Sequence, residues 1–507
     1  PADDTRAFFT YGRTQANNSI DLTGIGAGAV KDWAYQFAQV RMNKDEFFAQ
    51  AFVNWSDSGD TYILRTGQPI DDESYIAVAQ LQHAAELSSS QRFVYGVDYI
   101  HTNPVTNRTV NGVHEDDDLI DEFGGYLQSE TQLSDRWELT LAARADYHSV
   151  LDEVIFSPRG ALVFKPGDEH SLRATFNRAF ATPDNNNLFL DILAQRIPLG
   201  TSGFSYGLNA QGTTDRGFTF AAGPGGRPMM KSPFTPPSLG GPGQFLPTRT
   251  PTLWQLAVGV VAAQDPQAGA LLSSIPVPDG GQVATLLRGL DTGTGTFGEP
   301  VPFSSVRDVP AIQEEITNTF EVGYKGLIDD RLLLSIDGYF TRIQDFIGPL
   351  SLETPNAFLD GTDVAGYLVQ QGVPAATAQQ LAETMASLPL GVVTPREVAA
   401  EGPNLLLTYR NVGDVDLWGA DLSATYRIGD AWELGVATSW VSDDVFSTDL
   451  DQRVELNAPD FKARASVGYR SESAGIGGKA SWRFVNGFPA ASGVFVGQVE
   501  DYDVLDL

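Results

Sequence analysis

The sequence predicts an all-β fold, a transmembrane antiparallel up-and-down β-barrel, and three observations lead to this prediction. Apolar residues recur at every second position in many segments, aromatic rings stand at both ends of the apolar rows, and tight turns alternate with longer loops. A membrane barrel produces all three patterns because its strands face lipid on one side and a polar lumen on the other, with short turns at one rim and longer loops at the opposite rim.

The strands are predicted from a period of two, the spacing at which successive side chains point to opposite faces of a sheet. In the segment Trp137–His148 one face is apolar, whereas the other carries Arg144 and Asp146. The same alternation recurs in segments 92–99, 170–177, 332–340, 418–427, 432–441, 462–470 and 476–484. Many segments approach the ~9–11 residues that a tilted strand needs to cross hydrocarbon, and about sixteen strands are predicted.

The positions of the aromatic rings and the turns separate a membrane barrel from a soluble one. Trp137 and Tyr147 bracket one apolar row, and Trp432 and Trp440 bracket another. A soluble core would place its large rings near the middle of a row, whereas a membrane barrel places them at the two interfaces. Tight turns are predicted at 43–46, 88–90, 133–136, 166–169, 328–330, 429–431 and 472–474.

Composition excludes several classes of protein. The net charge of -31, from 33 Lys+Arg against 64 Asp+Glu, excludes nucleic-acid binding because no basic stripe offsets the acidic excess. No apolar run is long enough for a transmembrane helix, since the nearest, 253–263, is short and contains Gln255. The chain has 0 cysteines, which excludes a disulfide framework and a thiolate metal site.

No enzymatic activity and no cofactor are expected. The 5 histidines are scattered without the spacing of a zinc protease, and no Gly-x-Ser-x-Gly motif occurs. Acidic clusters could hold Ca²⁺ or could simply be solvated loops, and none matches the spacing of an EF-hand. These clusters are Asp57 with Asp60, Asp116–Asp118 with Asp121, and Asp443–Asp444 with Asp449 and Asp451.

Two sets of residues are candidates for solute binding. The first is the polar row predicted to face the lumen, where it would bind a passing solute or only form the polar wall of any barrel. This row contains Arg144, Asp146, Arg173, Asn177, Asp337, Asp421, Lys479 and Arg483. The second lies in two long extracellular loops, 181–313 and 347–411, with short helices predicted at 252–273, 281–290 and 375–388. Its aromatic residues are expected to be exposed: Phe204, Tyr206, Phe218, Phe220 and Phe234.

Several motifs resemble those of TonB-dependent outer-membrane receptors. Segments 156–166 and 170–183 are similar to the mid-barrel hairpin of that family, and 125–130 with 141–146 is similar to another of its hairpins. Downstream, Glu314 and Glu315 with 319–325, Tyr409–Asn411 with 417–421, and Asn457–Pro459 resemble further family segments. The matches follow one another in order and cover about residues 34 to 507.

The resemblance implies a ~22-stranded barrel in the bacterial outer membrane, whose lumen is filled by a plug domain. It also implies energy-coupled import of a scarce solute, with outer-membrane lipid and a TonB-type energy-transducing complex as partners. A surface lipoprotein is a further candidate partner. The solute stays open among siderophore, cobalamin, glycan and peptide. A non-transport surface protein for adhesion or assembly, and a passive unplugged porin, are the alternatives.

The chain departs from the family pattern at both ends. No plug and no TonB-binding motif are predicted, since residues 6–13 already form a strand, and residues 502–507 stop within a strand. Residues 1–507 are therefore expected to form part of an outer-membrane barrel. The plug that TonB contacts would then belong to another part of the protein. The alternative is a complete, smaller barrel without a plug.

Overall fold

The structure is a computed structural model that describes residues 5–23, 26–198, 205–214, 216–291, 294–398, 404–447, 453–492 and 495–507. Its main feature is a 16-stranded antiparallel sheet in which each strand pairs with its neighbours along the chain. The strands are Arg6–Ala16, Trp33–Lys44, Phe47–Asp57, Tyr75–Ser88, Gln91–Asn103, Ile120–Ser134, Trp137–His148, Glu153–Gly167, His170–Ala181, Glu315–Ile328, Leu332–Gln344, Val415–Ile428, Trp432–Val441, Phe461–Ser471, Ile476–Val485 and Tyr502–Asp506. The all-β fold, the number of strands and their antiparallel order confirm the prediction.

The connections at the two ends of this sheet differ in length. At one end the strands are joined by turns of two to four residues, which occur at every tight turn predicted from the sequence. At the other end lie the longer connections, including the two that separate Ala181 from Glu315 and Gln344 from Val415. The sheet therefore has a short-turn end and a long-loop end, as a membrane barrel does.

The register assigns every strand residue to one of two faces. Gln80, Asp98, Gly124 and Asp146 are successive cross-strand partners and share the polar face. On the opposite face, apolar side chains such as Leu141 (53% exposed) and Phe320 (58% exposed) lie open. An apolar face this extensive is expected to contact lipid, so the polar face lines the lumen.

Aromatic rings on the apolar face form rows that cross several strands. Near the long-loop end Phe176, Phe320, Phe340 and Trp418 are successive cross-strand partners. The first two rings lie 4.8 Å apart and the last two 4.6 Å apart. At the short-turn end Trp137 stacks on Phe164 with ring centroids 4.5 Å apart, and Trp432 contacts Tyr469 at 4.7 Å. These two rows confirm the predicted aromatic girdles.

The two long connections fold together into one unit, which we call the cap. The first contributes the strand Ser205–Gln211, which pairs in parallel with Asn404–Thr408 of the second. Thr285–Asp291 of the first also pairs with Asn356–Leu359 of the second. Arg410 of the second connection links the two, because its guanidinium group, paired with Glu353 of the same connection at 2.7 Å, also donates to the backbone carbonyl of Asp308 in the first at 3.4 Å.

The cap has a hydrophobic core of its own. Trp254 from the first connection meets Tyr367 from the second edge to face, with ring centroids 5.6 Å apart. The Tyr367 hydroxyl donates to the carbonyl of Pro276 at 2.9 Å, so the polar end of this buried ring has a partner. Leu253, Leu368 and many other buried residues of both connections surround this contact.

The helices of the cap agree in part with the sequence prediction. The helix predicted at 252–273 is two helices, Thr250–Gln264 and Pro266–Ser274, because Asp265 caps the second by accepting from the backbone of Gln267. The helix predicted at 375–388 is Ala375–Ala386, and the additional helix Gly361–Gln370 precedes it.

The helix predicted at 281–290 is wrong. Residues Thr285–Asp291 form a strand, because a partner strand lies in the second connection and supplies backbone hydrogen bonds that no local pattern reveals. Among the helices of the described residues, none is long and apolar enough to cross a membrane.

The assignment of faces predicts different costs for charge on the two sides of one strand. An Arg at Leu141 or Leu422 would face lipid near the bilayer midplane and is expected to lower the free energy of unfolding by roughly 2–4 kcal/mol. The same substitution at Thr140 or Ser423, on the lumen face, is expected to cost far less. Denaturant unfolding in lipid vesicles measures both, and equal costs would contradict the orientation.

The shared core of the cap predicts coupled unfolding of its two connections. Leu253→Ala removes a buried side chain from the first connection and is expected to destabilise the cap by about 2–5 kcal/mol. Hydrogen exchange should then accelerate in the helix Ala375–Ala386 of the second connection as well. Leu271→Ala, at an exposed position of the adjacent helix, is the matched control. Faster exchange confined to the first connection would show that the two fold independently.

Candidate functional site

A cavity of about 530 Å³ lies at the long-loop end of the sheet, between its lumen face and the cap. The barrel side of its wall includes Trp33, Tyr35 and Asn54, which lie on the lumen face of their strands. The cap contributes Leu190 and Ile192 from the first long connection, and Tyr409 from the second. The cavity is therefore bounded by the barrel and by both connections that form the cap.

Aromatic side chains form one wall of this cavity. Trp33 and Tyr35 occupy successive lumen-facing positions, and their rings stack with centroids 5.9 Å apart and an interplanar angle of 20°. Tyr35 is 55% exposed, whereas the indole Nε1 of Trp33 is buried and finds no hydrogen-bond partner in the described part of the chain. Burial, reinforced by the charge of Asp184, raises the pKa of Tyr409 to about 12, so this hydroxyl stays protonated at neutral pH.

The charged groups in the cavity wall are acidic. Asp21 is exposed, and half-buried Asp72 accepts from the Ser56 hydroxyl at 2.7 Å and from the backbone N–H of Ser74 at 3.0 Å. None of the described residues in the wall is Lys, Arg or His. Most of the cavity surface is apolar, from side chains that include Ile63, Ile70, Ile76, Leu190 and Ile192.

A neighbouring loop is fixed to the cavity by contacts with one half-buried carboxylate. Thr106 lines the cavity, and its hydroxyl and backbone N–H both donate to Glu115, at 2.5 and 2.7 Å. The backbone N–H groups of Asn107 and Arg108 donate to the same carboxylate. Burial alone would raise the pKa of Glu115, but the four hydrogen bonds together lower it below its ordinary value.

The residues of the predicted lumen row share the polar face of the sheet, and two of its arginines pair with carboxylates of the same face. Arg144 donates to both carboxylate oxygens of Asp98, at 2.7 and 2.8 Å, and through Nε to Asp146 at 2.9 Å. A second group repeats the arrangement, because Arg173 contacts Glu321 and lies 2.9 Å from Asp337. These two guanidinium groups are therefore already occupied by carboxylates.

The other members of the row make fewer contacts. Asp421 accepts from the Ser439 hydroxyl at 2.5 Å, and Asn177 has a buried Oδ1 without a partner among the described residues. Arg483 is the direct cross-strand partner of Arg464 and pairs with Asp506 at 3.3 Å. Lys479 lies on the same face, so the wall is basic in this region. Solute binding by the row stays a prediction.

The predicted exposure of the loop aromatics is wrong for two residues. Tyr206 (0% exposed) and Phe218 (6% exposed) lie inside the cap, where the long connections pack on each other. The Tyr206 hydroxyl donates to the carbonyl of Pro389 at 2.6 Å, and burial raises its pKa. Phe220 and Phe234 are half-buried against the cap core, and Phe204 lies outside the described residues.

The cavity residues were missed by the sequence prediction, although a signal was present. Trp33 and Tyr35 are large rings at lumen-facing positions, where the alternation calls for polar side chains. The acidic clusters considered for Ca²⁺ do not form a metal site in the described part of the structure. Among the described residues no group of three or more His, Asp or Glu is arranged to hold a metal ion, and Asp449 and Asp451 lie outside the described part.

The lipid-facing sheet and its lumen-facing cavity define an outer-membrane β-barrel of the receptor class. The sequence matches the family described as "TonB dependent receptor-like, beta-barrel" over residues 1–231 and 248–507. The chain therefore belongs to this family, whose members are proteins of the outer membrane of Gram-negative bacteria. A comparison with curated proteins finds no match.

Solved structures share the fold at low sequence identity. The FrpB iron transporter from Neisseria meningitidis is 11% identical with a TM-score of 0.52, and the match covers 99% of this chain and 61% of FrpB. A mutant of the ferric enterobactin receptor PfeA from Pseudomonas aeruginosa is 9% identical with a TM-score of 0.52, covering 100% of this chain and 59% of the receptor. The copper transporter OprC is 13% identical with a TM-score of 0.51, and the match covers 100% of this chain and 60% of OprC. The chain thus spans about three fifths of the length of these proteins.

The contacts of Glu115 predict a pH-dependent loop. Because the pKa of this carboxyl is below its ordinary 4.5 in the folded state, its stabilising contribution is complete above that value and is lost as pH falls through the lowered pKa. Exchange protection of the Thr106–Arg108 amides, corrected for intrinsic rates, should fall in that window. Glu115→Gln should show weaker protection without the pH step, whereas Asp116→Asn, in an exposed ion pair, should behave as the native chain. A step retained in Glu115→Gln would contradict the assignment.

Proposed function

We propose that the chain is the membrane-spanning part of a transporter that imports a scarce solute through the outer membrane with energy from a TonB-type complex. Membership in the TonB-dependent receptor family supports this proposal. A plug domain, carried by a part of the protein beyond this chain, would fill the lumen and contact TonB. The chain itself would bind and pass the solute, and no chemical step on the solute is required.

The observation that carries the proposal is the cavity between lumen face and cap. Ligand sites are usually concave and largely apolar with a few well-placed polar groups, as here. The cavity wall joins the barrel, through Trp33 and Tyr35, to both long connections, through Leu190 and Tyr409. A solute bound there would contact the cap and the entrance of the lumen at the same time.

The long connections and the lumen row, which the sequence offered as candidates for solute binding, are compatible with a site in this cavity. We propose that the connections 181–313 and 347–411 lie outside the cell, because the short turns stand at the opposite end of the sheet. In this arrangement the lumen row of Arg144, Asp146, Arg173, Asn177, Asp337 and Asp421 lines the route below the cavity. The cap would be the surface available to a surface lipoprotein. The solutes named for the structural relatives, iron, ferric enterobactin and copper, mark the range of cargo to be tested.

Uptake in cells tests the proposal. Tyr35→Ala removes one ring of the stacked pair and should lower TonB-dependent depletion of at least one solute from a defined mixture, measured by mass spectrometry, by about tenfold or more. Tyr11→Ala is the matched control, because Tyr11 is an exposed tyrosine of the neighbouring strand that points to the lipid side.

Loss of the energy-transducing partner should abolish the same depletion. Depletion that persists without TonB would instead indicate a passive pore. Absence of depletion in the native strain would favour a surface protein without a transport role.

A further inference from the structure

We propose that the cavity selects solutes that carry a positively charged head on an apolar body, and that it rejects anions. This inference rests on the proposed function, because it names the class of solute for that same cavity. It is drawn from the lining of the cavity alone, in which rings, aliphatic side chains and carboxylates occur together and no basic side chain of the described residues takes part.

The charge of the wall supplies the first argument. Asp21 and Asp72 are the two ionisable carboxylates of the lining. The bonds from Ser56 and Ser74 use only part of the acceptor capacity of Asp72 and leave lone pairs for a further donor. A cleft lined by charges of one sign, in a protein of net charge -31, concentrates solutes of the opposite sign.

The rings supply the second argument. The stacked pair Trp33 and Tyr35 presents an aromatic face to the cavity, and Tyr409 contributes a third ring from the cap. Aromatic faces attract cations through their quadrupole and also bury apolar groups. The same wall therefore accepts an ammonium or guanidinium head near the carboxylates and an apolar body against the rings and the isoleucines.

A buried donor supplies the third argument. Nε1 of Trp33 has no partner in the described part of the chain, and an unsatisfied buried N–H is costly. A carbonyl or hydroxyl oxygen of the solute would satisfy it. The preferred solute thus combines a cationic head, an apolar body and one acceptor, as an amine-bearing amide does.

The lumen arginines do not reverse this preference at the cavity. Arg144 and Arg173 are each held by two carboxylates. The basic part of the wall, around Arg464 and Arg483, lies on strands at the other edge of the described sheet. An anion in the cavity would thus face the carboxylates of Asp21 and Asp72 with no basic side chain of the described lining to offset them.

Two fluorescent probes of matched size test the inference on the full-length natural protein in detergent. Dansylcadaverine carries a primary ammonium, and dansyl-ε-aminocaproate carries a carboxylate on a spacer of similar length. We expect the cationic probe to bind with an affinity about tenfold or more above that of the anionic probe. This affinity should fall as the salt concentration is raised. Equal binding of the two, tighter binding of the anion, or no binding of the cation at millimolar concentration would overturn the inference.

Charge-removing variants assign the selectivity to this cavity. Asp21→Asn and Asp72→Asn should each lower the affinity for the cationic probe about three- to tenfold. The affinity for the anionic probe should stay the same or rise slightly. Asp60→Asn, an exposed position of a nearby loop that does not line the cavity, is the matched control. Because Asp72 also holds Ser56 and Ser74, the exposed Asp21 provides the variant least able to disturb folding. Unchanged cation binding in both variants would overturn the assignment.

Binding in detergent and uptake in cells separate the two proposals. Selective cation binding without any TonB-dependent uptake would sustain this inference and refute the transporter. TonB-dependent uptake of anionic solutes, with no binding of the cationic probe, would sustain the transporter and refute this inference.

Discussion

The structure depends on one constraint, the need to pair every backbone N–H and C=O inside hydrocarbon, where no water can substitute. A strand can meet this need only through its neighbours, so the described sheet continues from strand to strand over the whole chain. As a consequence, successive side chains point to opposite faces of the sheet, and the sequence shows this alternation as a period of two. The aromatic rows and the short turns mark the two levels at which water becomes available again.

The lumen face meets a different requirement, because it must hold charges without filling the interior. Arg144 lies flat along the wall between Asp98 and Asp146, over Gly124, where a Cβ would collide with the guanidinium group. Arg173 lies in the same manner over Gly323. Glycine is used at these positions for the space it leaves rather than for backbone freedom. These two guanidinium groups are thereby neutralised within the wall, whereas the cavity above carries Asp21 and Asp72 without a basic neighbour in its described lining.

The sequence predicted the strands and turns because membrane strands obey a local rule that repeats. It predicted Ala375–Ala386 for the same reason, since a helix satisfies its own backbone. It failed at Thr285–Asp291, whose strand form depends on a partner in another connection, and at Tyr206, whose burial depends on the joint core of the cap. The cavity was missed because its wall is assembled from segments far apart in sequence. Only the rings of Trp33 and Tyr35, at positions where polar residues were expected, indicated it.

The parallel pairing of Ser205–Gln211 with Asn404–Thr408 makes the cap a composite of segments that lie far apart in the chain. Between these two segments the chain crosses the membrane twice, as Glu315–Ile328 and Leu332–Gln344. The first connection cannot bury its hydrophobic residues alone, because Tyr367, Leu368 and Met385 of the second complete the core around them. The cavity wall, which takes Leu190 from one connection and Tyr409 from the other, is therefore complete only when both strands between them are in place.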